Sequence, residues 1–192
     1  MSERVAIFVD GANFHHGLSK IQKGYNDFHF DFEKFFTTIT NGREYVGFWY
    51  YTAPIKGVPE LNEDHQRLLS RLRKIPKQHV VLCKRQKKTT VLDEDGKEKP
   101  IYGMKLDDVY LSVDMVNEAW KNTFDTAILI SGDVDILPAV NIVVKEKSKR
   151  VELLGFTGTT SESLVDSCSS FTELTKDMID NNFFPYERPK KK

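Results

Sequence analysis

The sequence lacks an excess of either charge, because its 28 Lys and Arg residues balance its 28 Asp and Glu residues. A neutral chain has no whole-molecule field that would attract a polyanion, so any affinity for nucleic acid must come from local basic patches or metal ions. Long apolar runs are also missing. No stretch approaches the ~20 apolar residues that a membrane-spanning helix needs, so we expect no membrane segment.

Cysteine is scarce, with two residues and no CxxC spacing. Cys83 lies in a strand-like apolar run and Cys168 in a Ser-rich stretch, so we interpret both as reduced, structural thiols. The five His residues are scattered, and no Cys/His spacing suits zinc. The start of the chain, SERVAIFVD, turns acidic too early for a signal peptide. We therefore expect a cytoplasmic protein.

Apolar runs alternate with helical patterns along a chain whose 192 residues can bury one core. Strands are predicted at 5–9, 45–51, 79–84, 127–130 and 151–155, and helices at 12–22, 32–40, 59–75, 107–122, 136–145, 161–168 and 173–179. This alternation predicts an α/β fold with a central, mostly parallel sheet and helices on both faces. We expect a single domain over residues 1–180 and a basic, disordered tail over 181–192.

Two features qualify this simple alternation. The polar stretch 84–105, centred on Asp95-Gly96, predicts a β-hairpin inserted into the α/β pattern. The helix predicted at 107–122 rests on one apolar stripe at helical spacing, which consists of Val109, Val113, Val116 and Trp120.

Acidic residues follow two of the apolar strands. Asp10 ends the run 5–9, and Asp133 and Asp135 follow the run 127–130. Open α/β sheets bind their ligands at the carboxyl ends of the strands, where the strand order reverses. If the sheet is doubly wound, the first strand lies beside the strand that ends at Ser131. We therefore expect Asp10 to face the other two acids across this switch point.

A second acidic pair opens the helix after the hairpin. Asp107 and Asp108 lie in its first turn, and Asp114 follows two turns later on nearly the same face as Asp107. Singly, each acid has an ordinary explanation as a helix cap or a solvated charge. Together, crowded carboxylates repel one another unless a cation or water offsets the repulsion. Mg²⁺ or Mn²⁺ suits such oxygen ligands.

Three blocks of the sequence, in order, resemble the signature blocks of the NYN domain family of PIN-like nucleases. They are VDGANF at 9–14, KLDDVYLSVD at 105–114 and SGDVDILPAV at 131–140. The resemblance implies a PIN-like, Rossmann-like three-layer α/β/α fold, a site for Mg²⁺ or Mn²⁺, and hydrolysis of phosphodiester bonds, mostly in RNA. The acids that match the family's metal-binding and catalytic residues are Asp10, Asp108, Asp133 and Asp135.

The same blocks imply further site residues. Asn13 matches the polar residue after the first acid, Lys105 the basic residue before the second block, and Asp114 an acid common in the family. Asp107 is a further metal-ligand candidate, and Ser131, which opens the third block, is a candidate substrate contact. One departure is the segment SCSSF at 167–171, where one branch of the family carries an acid before the aromatic residue.

A basic run begins the hairpin, with Lys84, Arg85, Lys87 and Lys88. Such a strip is suited to follow a phosphate backbone. The alternative is a solvated loop, since Asp93, Glu94 and Asp95 are interspersed. The aromatic run Trp49–Tyr51 has two interpretations as well: a ring that stacks on a base, or ordinary core packing.

These observations leave three functional hypotheses. The leading one is an Mg²⁺- or Mn²⁺-dependent ribonuclease acting on single-stranded or structured RNA. The second is an RNA-binding or scaffold protein that keeps the fold with little turnover. The third, a phosphatase with an aspartyl nucleophile, usually needs an acid two residues after the first, where this chain has Ala12. The resemblance also suggests a homodimer, since PIN-like relatives often pair.

Overall fold

The computed structural model of the chain describes residues 2–55, 59–92, 96 and 98–184. Most of the tail predicted at 181–192 and part of the predicted turn at 95–96 lie outside these residues. The strands and α-helices of the described part are, in chain order, β1 (Arg4–Asp10), α1 (Gly11–Ile21), α2 (Phe32–Thr40), β2 (Glu44–Thr52), α3 (Pro59–Leu72), β3 (Gln78–Leu82), β4 (Lys84–Leu92), β5 (Glu98–Lys105), α4 (Asp107–Trp120), β6 (Thr126–Ile130), α5 (Leu137–Asn141), β7 (Arg150–Gly155), α6 (Glu162–Ser167), β8 (Ser170–Glu173) and α7 (Lys176–Asp180).

Six strands form one parallel sheet in the order β3-β2-β1-β6-β7-β8. β1 pairs with β2 on one side and with β6 on the other, so the direction of winding reverses between β1 and β6. This is the doubly wound arrangement, and the α/β prediction is confirmed. Strand β8 was not predicted, because all four of its residues are exposed and it carries no apolar run.

The sheet is covered on both faces, which explains the unbroken apolar runs. In β1, Val5, Ile7 and Val9 belong to one core cluster and Ala6 and Phe8 to the other. Side chains from α1, α2, α3 and α7 fill the first cluster, and side chains from α4, α5 and α6 fill the second. A parallel strand buried on both faces has no polar alternation, so a run such as VAIFV is typical of it.

The predicted hairpin is confirmed as a separate antiparallel sheet of β4 and β5. Lys84 pairs with Lys105 at its base, and Leu106 then connects it directly to α4. The hairpin is therefore anchored beside the two acids that open α4.

The apolar stripe from which helix α4 was predicted does not form its buried face. Its core face consists of Leu111, Met115 and Ala119, whereas Val109 and Val113 of the stripe are exposed. Helical spacing shows that residues share a face, but not which face the sheet covers. The helix thus has two apolar faces, one in the core and one at the surface.

The described chain continues past α7 on the body of the fold. The carbonyl oxygen of Asn182 accepts a hydrogen bond from the backbone N–H of Asp31 at 2.6 Å, and Phe183 forms a β-bridge with Phe30. Among the described helices, none combines the length and the apolar character that crossing a bilayer requires.

Gly17 of α1 gives a test of the packing. A Cβ atom there would lie 2.0 Å from the buried ring of Phe156. In Gly17→Ala, helix propensity gains about 1 kcal/mol, but overpacking costs about 1–3 kcal/mol. Since the overlap is severe, we expect net destabilisation in urea unfolding. Ser19→Ala, exposed on the same helix, should change stability by less than about 0.5 kcal/mol. Equal stability of the two variants would contradict this packing.

Candidate active site

Asp10 is buried where β1 passes directly into α1. Its Oδ1 accepts a hydrogen bond from the backbone N–H of Asn13 at 3.0 Å, which caps α1. Its Oδ2 accepts one from the hydroxyl of Ser131 at 3.0 Å. The sharp exit needs Gly11, because a Cβ atom there would lie 2.5 Å from the carbonyl oxygen of Tyr51. Hydrogen bonds from α1 and from the turn after β6 thus hold the Asp10 carboxylate in place.

Ser131 joins Asp10 to the acids that follow β6. Its Oγ accepts a hydrogen bond from the backbone N–H of Asp133 at 3.1 Å, and Oδ1 of Asp133 accepts one from the backbone N–H of Asp135 at 3.0 Å. Asp133 is half-buried and Asp135 is exposed. The hydroxyl predicted as a substrate contact therefore positions the acids on both sides of the switch point.

Asp107 and Asp108 approach this edge from the first turn of α4, where both are half-buried. The structure thus brings together five carboxylates from three segments, which we call the acid group: Asp10, Asp107, Asp108, Asp133 and Asp135.

Two carboxyl groups of the acid group have raised pKa values. Burial raises the pKa of Asp10 to about 6, and the charges of Asp107 and Asp133 add to this rise against the two hydrogen bonds that lower it. Burial likewise raises the pKa of Asp108 to about 7, and the charges of the other four acids add to it. Desolvation and repulsion thus oppose the ionisation of Asp10 and Asp108.

The chemistry of the acid group suits a hard cation, because every donor is a carboxylate oxygen. Within the described ranges, no three His, Cys, Asp or Glu side chains form a cluster that could hold a metal ion. Mg²⁺ commonly keeps several waters and binds through one or two carboxylates. The acid group therefore fits a hydrated hard cation rather than a closed cage of protein ligands.

Asp114 is placed differently from the acid group. Its Oδ2 accepts a hydrogen bond from the hydroxyl of Tyr51 at 2.9 Å. This bond gives the carboxylate a structural role between α4 and β2.

The basic candidates lie together at the base of the hairpin. Lys84, Arg85 and Lys105 line a cavity of about 370 Å³ with Gln86 and Leu106. Lys84 and Lys105 are exposed, and the guanidinium of Arg85 lies 4.2 Å from the centre of the Tyr102 ring. Lys105 lies two residues before Asp107 along the chain, and Lys84 pairs with Lys105 across the hairpin, so these cations lie beside the first turn of α4.

The aromatic run Trp49–Tyr51 is core, since all three side chains are buried. The Tyr50 hydroxyl donates to Oδ2 of Asp27 at 2.5 Å, while Nδ1 of His15 lies 2.5 Å from Oδ1 of the same carboxylate. Because a Cβ atom on Gly11 would lie 3.0 Å from the Tyr50 ring, this buried network supports the turn that carries Asp10. Asp27 follows no strand, so no pattern in the sequence pointed to it.

One loop at the same edge was missed by sequence reasoning. The hydroxyl-rich run Thr157–Ser161 follows β7. The backbone N–H of Ser161 donates to the carbonyl oxygen of Gly132 at 3.0 Å, and a Cβ atom on Gly132 would lie 2.3 Å from the carbonyl oxygen of Thr159. The loop therefore lies directly against the turn of Asp133. The rule that sites follow the carboxyl ends of strands would have identified it.

Comparisons with known proteins identify the family and the fold of the chain. A model of the NYN domain matches residues 4–175 of the chain. The structure is similar to the crystal structure of a protein of unknown function from Vibrio parahaemolyticus RIMD 2210633, with a TM-score of 0.64 and 24% identity over 92% of this chain and 95% of that one. That likeness shows a shared fold. No curated protein gives a significant match.

The raised pKa values predict how stability depends on pH without divalent ions. Folding raises the pKa of Asp10 to about 6 and that of Asp108 to about 7 from the ordinary aspartate value of 3.8. Between the unfolded and folded values the native state binds more protons, so stability should fall as the pH rises from about 4 to about 7.

Asp10→Asn should remove part of this fall and stabilise the metal-free protein at about pH 7.5 by roughly 1–3 kcal/mol. Urea unfolding in EDTA at about pH 5 and about pH 7.5 measures both effects. A variant that is less stable than the wild type at the higher pH would disprove the account.

Proposed function

The chain belongs to the NYN domain family, a nuclease-like family, and on this premise we propose that it is a divalent-metal-dependent ribonuclease that hydrolyses phosphodiester bonds. One observation carries the proposal. Five carboxylates from three segments converge at the switch point, where burial and mutual repulsion raise the pKa of Asp10 and Asp108. Such strongly perturbed acids at the ligand-binding edge of an α/β sheet are typical of functional sites.

The acids would take two kinds of role. Asp10 and Asp133 would hold the principal Mg²⁺ or Mn²⁺, since they lie on opposite sides of Ser131 and are fixed by hydrogen bonds. Asp108 and Asp135 would hold water molecules of the ion and orient the attacking one. When bound, the ion activates water and neutralises charge on the phosphoryl oxygens. The hydrogen bonds from Asn13 and Ser131 keep the Asp10 carboxylate aligned throughout.

In this proposal, residues at the base of the hairpin bind the RNA substrate. Lys84 and Lys105 would neutralise phosphates on the RNA backbone, because they are exposed cations next to α4. Arg85, stacked on Tyr102, would present a planar cation to a phosphate or an unpaired base. Asn13, half-buried at the edge, would contact a phosphate oxygen.

A second candidate function is RNA binding with little turnover. It is favoured by one observation: the exposed cations Lys84 and Lys105 line a cavity at the hairpin base and need no metal ion to bind phosphate. A protein of this kind would bind RNA through the hairpin without cutting it. The two functions differ in their response to metal.

Cleavage of labelled single-stranded RNA separates them. We expect cleavage with Mn²⁺ or Mg²⁺ and none with EDTA. Asp10→Asn and Asp133→Asn should each reduce the rate by more than about a hundredfold, since even residues that only support metal ligands are worth about 10–100-fold. Asp177→Asn, an exposed acid on α7, is the matched control and should cleave normally.

RNA binding without cleavage at any metal concentration would favour the second function. Cleavage by Asp10→Asn at the wild-type rate, with its fold verified by circular dichroism, would disprove the assigned site. A DNA strand of the same sequence in parallel measures the preference for RNA.

The hairpin cations are tested by binding to the uncleaving Asp10→Asn protein. Replacing both Lys84 and Lys105 by Ala should weaken binding of single-stranded RNA about 3- to 30-fold and reduce the slope of log K against log salt by about 1–2. Lys20 and Lys23, exposed at the far end of α1, provide the matched double-alanine control. An unchanged salt slope in the hairpin variant would show that these lysines do not contact phosphate.

A further inference from the structure

His15 lies close to the acid group but is not a member of it. It belongs to the second turn of α1, five residues after Asp10, which is about 7.5 Å along the helix axis. Its Nδ1 lies 2.5 Å from Oδ1 of Asp27, whose side chain is 6% exposed, whereas the His15 side chain is 44% exposed. The pair therefore joins a buried carboxylate to an imidazole that reaches the surface.

Asp27 is held through its other oxygen by the neighbouring strand. Oδ2 accepts a hydrogen bond from the Tyr50 hydroxyl, and burial raises the pKa of that hydroxyl well above its usual range, so it remains a donor. Tyr50 belongs to β2, whereas Ser131 follows β6, and the two strands pair with opposite edges of β1. The pair of Asp27 and His15 thus lies on the β2 side of Asp10, away from Ser131.

The groups around Asp27 favour a protonated His15. The hydrogen bond to Asp27 and the charge of its carboxylate raise the pKa of His15 above the ordinary value of 6.5, against the effect of burial. The Asp27 charge also acts on His65 and Arg71 of α3, but burial lowers the pKa of His65, and Arg71 donates a hydrogen bond to the carbonyl oxygen of Phe28. In the described chain, His15 is the cation that contacts the buried carboxylate directly.

The second ring nitrogen of His15 is left for a ligand. Because Nδ1 faces Asp27, protonation of the ring makes Nε2 a second donor. Over the ranges that the structure describes, 2–55, 59–92, 96 and 98–184, no group pairs with Nε2. The segment 11–26 contains no Asp or Glu, so no carboxylate of α1 repels an approaching anion. A charged N–H at the surface is a strong donor to a phosphate oxygen.

We propose that His15 binds a phosphate of the RNA strand next to the phosphate at the acid group, and that Asp27 positions its ring for this contact. The inference rests on the proposed ribonuclease function, because that function places the scissile phosphate at the acid group. His15 is then a substrate-binding residue on the β2 side of Asp10, separate from the hairpin cations. The alternative is that His15 only neutralises Asp27, in which case its charge affects stability and leaves RNA binding unchanged.

Binding of a labelled single-stranded RNA in EDTA, measured by fluorescence anisotropy at about pH 6 and about pH 8.5, tests this contact. His15→Gln keeps a donor for Asp27 but removes the charge. It should weaken binding about 3- to 10-fold at the lower pH and reduce the slope of log K against log salt by about 1. His15→Lys keeps the charge at both pH values, so it should match the wild type at the lower pH and bind more tightly than the wild type at the higher pH.

The control for these variants is His16→Gln, which changes an exposed histidine on the same helix and should alter binding by less than about twofold. Asp10 and Asp108 titrate over the same pH range. The effect of His15 is therefore the difference between each variant and the wild type at one pH. Circular dichroism verifies that the variants fold, and His15→Lys still decides the proposal if His15→Gln does not.

Cleavage with Mn²⁺ at about pH 6 separates this contact from the ribonuclease proposal. We expect His15→Gln to raise KM about 3- to 10-fold with less than about a twofold change in kcat, since a contact with a neighbouring phosphate is made equally before and during the reaction. Unchanged RNA affinity and salt slope in His15→Gln, or equal losses in His15→Gln and His15→Lys, would overturn the His15 contact and leave the acid group assigned as before. A wild type that binds RNA but never cleaves it would overturn the ribonuclease, while the two binding comparisons still decide the role of His15.

Discussion

The hydrogen bond between Asp10 and Ser131 joins the two strands at which the fold changes direction. It holds a carboxylate in a buried position, where desolvation and neighbouring acids oppose its charge. Such a group is unfavourable in isolation, and it persists because the apolar strands on either side bury enough surface to offset its cost. The stability of the sheet and the ionisation of a carboxyl group at its edge are therefore linked at one residue. A divalent ion would relieve the repulsion that the fold imposes.

This arrangement separates the tasks of the molecule in space. Two core clusters hold the sheet rigidly, while the acids and the Thr157–Ser161 loop lie in the turns at its carboxyl edge. Cations come from the hairpin, an insertion that forms its own small sheet. Because the hairpin ends only one residue before α4, the phosphate-binding side and the metal-binding side of the proposed site are coupled through Leu106.

Helix α4 connects these parts through three different surfaces. Its first turn contributes to the acid group, one face packs Leu111, Met115 and Ala119 on the sheet, and the opposite side exposes the apolar stripe. Asp114 ties the helix to β2 through the hydroxyl of Tyr51. A helix with two apolar faces is unusual in an isolated domain, where the outer face is normally polar. The stripe is therefore an apolar surface separate from the acids of the first turn.

The sequence by itself determined the strands, most of the helices, the hairpin and the candidate acids, because apolar runs, caps and turns are local patterns. It placed Asp10 and Asp133 at strand ends, but only the tertiary structure decided that β1 and β6 are neighbours, since strand order depends on pairing between distant segments. Helical spacing revealed the α4 stripe yet could not show that the sheet covers the other face. The edge strand β8 and the support of Asp10 by Asp27 also came from the structure alone. Both depend on contacts between residues far apart in the chain, which leave no periodic trace in the sequence.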